Sequence, residues 1–263
     1  MKSNKYTHYK YISIDVENNI GVVKLNQPEV RNALSLEMRE ELRSFFTKVN
    51  NDSEVKIVIL TGEGKAFSAG GDLSTLQGIS AEAGRQRLQA GHRLIYSVLN
   101  LEKPVIAALN GVAAGAGVSL ALACDVIVMA NSSALIQSFM KVGLIPDLGS
   151  LYFLPSLIGR HRALELMLTG GKVTADQALE MGIANHVVPS EKLEEKVHSL
   201  ASTLAEGPAL SMGLTKRLVN RTVLDEIGKT LELEGFAQGM CFESTDFKEG
   251  VDAFFEKRTP SFS

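Results

Sequence analysis

Apolar and polar residues alternate along YISIDVENNIGVVKLNQP on both sides of Asn18-Asn19, which predicts a β-hairpin. LSLEMREELRSFFTKVNND instead places Leu36, Met38, Leu42, Phe45, Phe46 and Val49 at helical spacing behind Ser35, a good N-cap residue. VKIVILTG, PVIAALNG and DVIVMAN are short apolar runs and predict buried strands. Helical stretches over roughly residues 81–101 and 118–123 lie between them. Strands alternating with helices in this way predict an α/β fold with buried, mostly parallel pairing.

After about residue 190 the pattern changes. SEKLEEKVHSLASTLAEG, PALSMGLTKRLVNRT, LDEIGKTLELEGFAQGMCF and STDFKEGVDAFFEKR read as four helical segments with no strand among them. The expected organisation is an α/β core over 1–190 and a helical region over 191–263. Leu204, Leu210, Leu214, Leu218, Leu231 and Phe236 exceed the apolar need of a short helix pair. They either pack on the core or form a subunit interface, and the pattern leaves both open.

Composition narrows the class. The 263 residues are 45% hydrophobic and 22% charged, as in ordinary folded soluble proteins, and the formal net charge of −3 argues against a general nucleic-acid or acidic-membrane binder. Cys124 and Cys241 form no CxxC or Cys/His cluster and are expected as reduced, buried thiols. MKSNKYTHYKY carries no apolar signal region. Residues 112–129 are broken by glycines and Asp125, so a buried helix and strand are expected there rather than a membrane span. A cytoplasmic location is the expectation.

Three stretches could carry chemistry. GEGKAFSAGGDL, residues 62–73, matches neither GxxxxGK[ST] nor a Rossmann GxGxxG, so it reads as a tight turn or a loop where backbone closely approaches a ligand. NGVAAGAGVSLALACD, residues 110–125, lets a helix begin very near other backbone. Two such glycine-rich strand exits can aim two N–H groups at one oxygen, an oxyanion hole in outline; close helix–sheet packing explains the same glycines. Asp147, in VGLIPDLGS, is either a turn residue capping the next helix or a catalytic carboxylate. His8, His92, His161, His186 and His198 have no GxSxG or HExxH context and read as surface or satisfied histidines.

Taken together, NQPEVRNALSLEM, GKAFSAGGDL, KPVIAALNGVAAGAGVSLALACDVIVMA and the run from VGLIPDLGS to GIANHVV resemble the crotonase (enoyl-CoA hydratase/isomerase) superfamily in order and spacing, over nearly the whole chain. The resemblance implies a spiral core of ββα units and a helical C-terminal region that assembles a homotrimer or hexamer. It implies an acyl-CoA thioester as substrate, with no metal and no cofactor beyond that coenzyme A. It further implies an oxyanion hole from the backbone amides of Gly71 and Ala116. Arg31, Ala33, Ala69 and Leu73 fall at positions contacting coenzyme A, and Phe254 and Lys257 match a C-terminal motif reaching the coenzyme of a neighbouring subunit. Phe254 and Lys257 are expected on one face of a closing helix.

The chain departs from the hydratase pattern at two positions. Where the hydratases of the family carry two glutamates around one water, this chain has Ser119 and Phe139. Neither activates water unaided. GLIPDLG with its aspartate is especially similar to the 1,2-epoxyphenylacetyl-CoA isomerase branch of phenylacetate catabolism and to Δ3,Δ2-enoyl-CoA isomerases. The expectation is an acyl-CoA isomerase with Asp147 as the single acid/base, in an apolar pocket formed with Phe139, Leu144, Ile145 and Leu148. The alternatives are a hydratase with a non-standard site or a non-catalytic acyl-CoA binder. An aspartate nucleophile on an aromatic ring ranks lower, because the chain contains no tryptophan.

Overall fold

The structure, a computed structural model, describes residues 6–263. Strands β1 (Ile12–Glu17) and β2 (Ile20–Leu25) form the expected hairpin, and Asn18 and Asn19 both take positive φ (51° and 64°), as a two-residue turn between twisted strands requires. Ser35 caps α1 (Leu36–Val49) through its hydroxyl, which accepts from the Met38 N–H. Next come β3 (Ile57–Gly62), β4 (Ala66–Ser68) and α2 (Ala81–Leu99), then β5 (Val105–Leu109), β6 (Val112–Ala114) and α3 (Ala116–Leu122). The third such round is β7 (Val126–Ala130), β8 (Ala134–Ile136), α4 (Ser150–Ile158) and α5 (Arg160–Thr169). The chain finishes with β9 (Lys172–Thr174), α6 (Ala175–Glu180), β10 (His186–Val188), α7 (Leu193–Ala205), α8 (Ala209–Glu243) and α9 (Thr245–Glu256).

Each strand–strand–helix round gives its longer strand to one sheet and its shorter strand to a second. The first sheet runs β1-β2-β3-β5-β7-β10, parallel beyond the hairpin; the second runs β4-β6-β8-β9. The parallel strands β3, β5 and β7 of the first sheet are buried on both faces. Ile57, Ile59, Ile106 and Val128 turn toward α7, whereas Val58, Leu60, Val105 and Ile127 turn into the main core with α1 and α2. That two-sided burial is why these strands read as unbroken apolar runs. The second sheet was not foreseen, because three-residue strands carry too little periodicity to register.

Two of the expected tail segments are one. Residues 209–243 form a continuous 35-residue helix through Asn220 and Gly228. α8 lies along α2, and Asn220 Nδ2 donates to the Leu99 carbonyl at 3.0 Å. Tertiary packing there outweighs the weak helix propensity of Asn and Gly. Leu231 is buried in the core and Leu204 packs on the α7 face of the sheet, but Leu210, Leu214, Leu218 and Phe236 are exposed. Cys124 and Cys241 are free thiols and half-buried, rather than fully buried as expected. No helix among the described residues is long and apolar enough to cross a membrane.

Candidate active site

Two backbone loops meet at the ends of β4 and β6. Gly70 has φ +91°, and a Cβ built on it would lie 2.5 Å from the Ala114 carbonyl oxygen and 3.3 Å from the Ala116 nitrogen. A glycine is therefore required for the approach. A Cβ on Gly117 would similarly meet Ser68 at 2.8 Å. The N–H groups of Gly71 and Ala116 flank this junction, and neither has a hydrogen-bond partner among the described residues. Ala116 is the first residue of α3, so its N–H is one that no helical carbonyl can satisfy.

Asp147 approaches from the segment before α4. It does not cap that helix: Gly149 is the N-cap residue and no side chain caps it. The Asp147 backbone carbonyl accepts instead, from the Ser150 N–H at 3.1 Å and from the Ser119 hydroxyl at 2.8 Å. Ser119 lies three residues after Ala116 in α3, so one short helix ties the free amide to the aspartate segment. The carboxyl itself is buried, and Asp147 Oδ1 has no hydrogen-bond partner among the described residues. A buried polar atom left this way is unusual in a structural aspartate and fits a group awaiting a ligand or proton.

The surroundings of Asp147 are more polar than the sequence suggested. Phe139, Leu144 and Leu148 are buried nearby, and the Phe139 ring lies against Gly115. The ionisable groups facing Asp147 come from three helices: Arg39 on α1, Arg87 and His92 on α2, and Glu234 on α8. All four are buried. Burial pushes the Asp147 carboxyl up to about 6, with Arg39 the strongest opposing influence. Arg39, pulled down to about 10 chiefly by burial, stays cationic; its Nε donates to the Leu34 carbonyl at 3.1 Å. Burial pulls His92 down to about 4 and pushes Glu234 up to about 8. Although His92 Nε2 lies 3.3 Å from Glu234 Oε2, both groups are driven toward their neutral forms. Burial thus works against an ion pair between them. The two buried carboxyls ionise in sequence, Asp147 first because the arginines face it.

Of these four, His92 reads in the sequence as a surface or satisfied histidine, and Arg39, Arg87 and Glu234 stand in no motif. Single polar residues inside helical patterns carry no local signal of burial. The helical spacing of Met38, Leu42 and Phe46 does place Arg39 beside the buried stripe of α1.

The remaining expected site residues divide into two groups. Residues 31–34 run alongside 66–71: the Ala69 N–H donates to the Arg31 carbonyl at 2.8 Å, the Leu34 N–H to the Gly70 carbonyl at 2.7 Å, and the Ser68 hydroxyl to the Asn32 carbonyl at 2.8 Å. Arg31, Ala33, Ala69 and Gly71 thus share one ledge. Leu73 continues from it and packs against the cluster containing Phe139. Phe254 and Lys257 are elsewhere. α9 packs on residues 138–143 and on α8, and both side chains are exposed. Contrary to the expectation of one helical face, α9 ends at Glu256, and Lys257 follows it in a left-handed conformation with φ 56°.

An ionisable base beside two free amide donors can take a proton from carbon next to a carbonyl and hold the resulting oxyanion. Residues 15–263 match the Enoyl-CoA hydratase/isomerase family, and the chain belongs to it. The 1,2-epoxyphenylacetyl-CoA isomerase of Escherichia coli is 37% identical over 97% of this chain and 98% of its own. The crotonyl-CoA hydratase of Syntrophomonas wolfei is 34% identical over 97% and 98%. A crystal structure of an enoyl-CoA hydratase from Mycobacterium avium subsp. paratuberculosis superposes with a TM-score of 0.89 at 30% identity, covering 97% of this chain and 99% of that one. The spiral of ββα rounds followed by a helical C-terminal region is the crotonase fold, and the chain is an enzyme of that superfamily.

The raised Asp147 carboxyl has a consequence for stability. Its folded-state value, about 6, lies above the ordinary 3.8, so the folded state binds its proton more tightly than the unfolded chain does. Wild-type stability contributed by this group is therefore full below about pH 4 and is lost as pH rises through about 6. Asp147→Asn removes that loss. The variant's stability relative to wild type should rise by about 2–3 kcal/mol between pH 4 and pH 8, at 1.36 kcal/mol per pKa unit. Urea unfolding of both proteins at the two pH values measures it. A difference that does not change with pH would contradict a raised Asp147.

Proposed function

We propose that this enzyme is an acyl-CoA isomerase in which Asp147 alone moves the proton. The observation that carries this reading is the pairing of a buried, unpartnered carboxyl at Asp147 with Ser119 and Phe139 at the two positions where the family's hydratases hold water. The Ser119 hydroxyl is already committed to the Asp147 carbonyl. Asp147, ionised at neutral pH, takes the acidified proton at carbon 2 of a 3-enoyl thioester. Charge then moves to the thioester oxygen as a dienolate, held by the N–H groups of Gly71 and Ala116, and Asp147 returns the proton to carbon 4. The same groups suit isomerisation of a ring epoxide of an aryl-CoA, the reaction named for the Escherichia coli relative. The proton shift calls for no cofactor beyond the coenzyme A of the substrate. Hydration is the second reading, favoured by the name of the Syntrophomonas wolfei relative. Purified protein assayed on 3-enoyl-CoA, crotonyl-CoA and an aryl epoxide-CoA tests both. Isomerisation well above hydration is expected; crotonyl-CoA hydration at about 10 per second, an ordinary enzyme rate, with no isomerisation would overturn the reading.

Coenzyme A is proposed to lie along the ledge of Arg31, Ala33, Ala69 and Leu73, with Phe254 and Lys257 supplied by a neighbouring subunit of a homotrimer or hexamer. Supporting this are the exposed apolar side chains of the last two helices, Leu210, Leu218, Leu233, Phe236, Met240 and Phe254, more than a monomer surface ordinarily carries. The two free cysteines suit a reducing, cytoplasmic setting. Sedimentation should give an assembly of three or six chains. Lys257→Ala should raise KM for CoA thioesters several-fold at low salt and leave it unchanged for pantetheine thioesters, which lack the nucleotide phosphates. A stable monomer, or an equal loss on both substrates, refutes the corresponding half.

A further inference from the structure

The backbone that carries Asp147 is held by two buried side chains of α8. Gln238 lies one helical turn beyond Glu234, on the same face. Gln238 clamps Ile145 from both sides: its Oε1 accepts from the Ile145 N–H at 3.0 Å, and its Nε2 donates to the Ile145 carbonyl at 3.1 Å. Glu234 accepts from the Gly149 N–H, at 3.1 Å to Oε1 and 3.3 Å to Oε2, and from the Leu148 N–H. Asp147 sits midway between the two clamped points. Between them Leu148 has φ 53°, a conformation that a leucine takes only where surroundings enforce it. Glu234 is 1% exposed and Gln238 is fully buried, so neither bond is shared with bulk water.

We infer that Glu234 and Gln238 are positioning residues: together they lock residues 145–149 in the strained turn that points the Asp147 carboxyl at the substrate. Two polar side chains buried this deeply destabilise the fold unless each is hydrogen-bonded, so where their bonds go shows what they hold. Here every bond they make goes to the backbone of one five-residue segment, apart from the 3.3 Å approach of Glu234 to His92. The groups facing Glu234 are His92 from α2, the Asp147 carboxyl from the preceding loop and the amides of Leu148 and Gly149. Arg39 and Arg87 act on Asp147, and neither is among the groups that influence Glu234. With Asp147 ionised, loss of the Glu234 proton would put a second negative charge beside the developing dienolate, so activity should fall again on the alkaline side.

This inference rests on the isomerase reading, and the test separates the two. Wild type, Asp147→Asn, Glu234→Ala, Glu234→Gln and Gln238→Ala are assayed on 3-enoyl-CoA across pH 5–9, with thermal unfolding of each. Glu234→Ala and Gln238→Ala should lose about 10- to 100-fold in kcat with KM unchanged, the scale expected when a reacting group is misplaced by about 1 Å. Glu234→Gln keeps an acceptor for the Gly149 N–H and should retain kcat within about threefold. It should also keep the acid limb and lose the alkaline fall. Inactive wild type would refute the isomerase reading. Active wild type with inactive Asp147→Asn, but Ala variants within about threefold of wild-type kcat, would overturn the positioning role, as would an alkaline fall that persists in Glu234→Gln.

Discussion

Asp147→Asn should lower kcat for isomerisation of a 3-enoyl-CoA by about 10³-fold, within the 10²–10⁴ range for losing a general base, while substrate affinity changes little. Asparagine fills the same space and keeps the backbone carbonyl that accepts from Ser119 and Ser150. It cannot take a proton, and no second acid stands at either hydratase position to replace it. In wild type the rate should fall as pH drops below about 6, because the base must be ionised and burial raises its value to that level. Arg39 is the main influence opposing that rise, so Arg39→Met should move the acid limb upward. Steady-state kinetics from pH 5 to 8, with binding of a non-reacting acyl-CoA by calorimetry, read out both effects. Activity of Asp147→Asn within a few-fold of wild type would remove Asp147 from the chemistry.

Gly70→Ala should be nearly as damaging, although it adds one methyl group and touches neither donor directly. The added carbon would meet the Ala114 carbonyl at 2.5 Å, a backbone atom that cannot rotate aside, and alanine at φ +91° is strained besides. Gly70 is anchored on its own side by the Leu34 N–H and the Ser68 hydroxyl, so the two loops must separate. The amides of Gly71 and Ala116 then no longer converge. Losing one oxyanion donor costs about 10²–10³ in kcat, or about 3–4 kcal/mol, and the same scale is expected here. Unfolding measurements control for the strain, expected at about 1–3 kcal/mol. A folded Gly70→Ala enzyme within fivefold of wild-type kcat would mean that the junction is not the oxyanion site.

Much of this protein is visible in the order of its residues. The Asn18-Asn19 hairpin, α1 behind Ser35 and the long parallel strands each follow from local pattern, since burial on one or two faces leaves a period in the chain. The two glycine-rich strand exits and the odd aspartate after Pro146 could be picked out because glycine permits close approach and positive φ where other residues do not, and proline fixes φ. The second sheet could not, since strands of three residues leave no period. The 35-residue length of α8 was hidden by Asn220 and Gly228, whose low propensity is overruled by packing along α2.

What the sequence by itself determined is the family, the parallel α/β core and the list of candidate groups. Those are local properties: side-chain type, turn chemistry and hydrophobic period. Only the tertiary structure decided which of those groups meet, and in what charge state. Asp147 could have been a helix cap; it is a base candidate because Gly149 takes the cap position and the carboxyl is left buried and unpaired. Arg39, Arg87, His92 and Glu234 surround it from three helices separated by up to 195 positions in the chain (234 minus 39). Electrostatic environment depends on distance and burial through space, and neither is written in the spacing of residues along a chain.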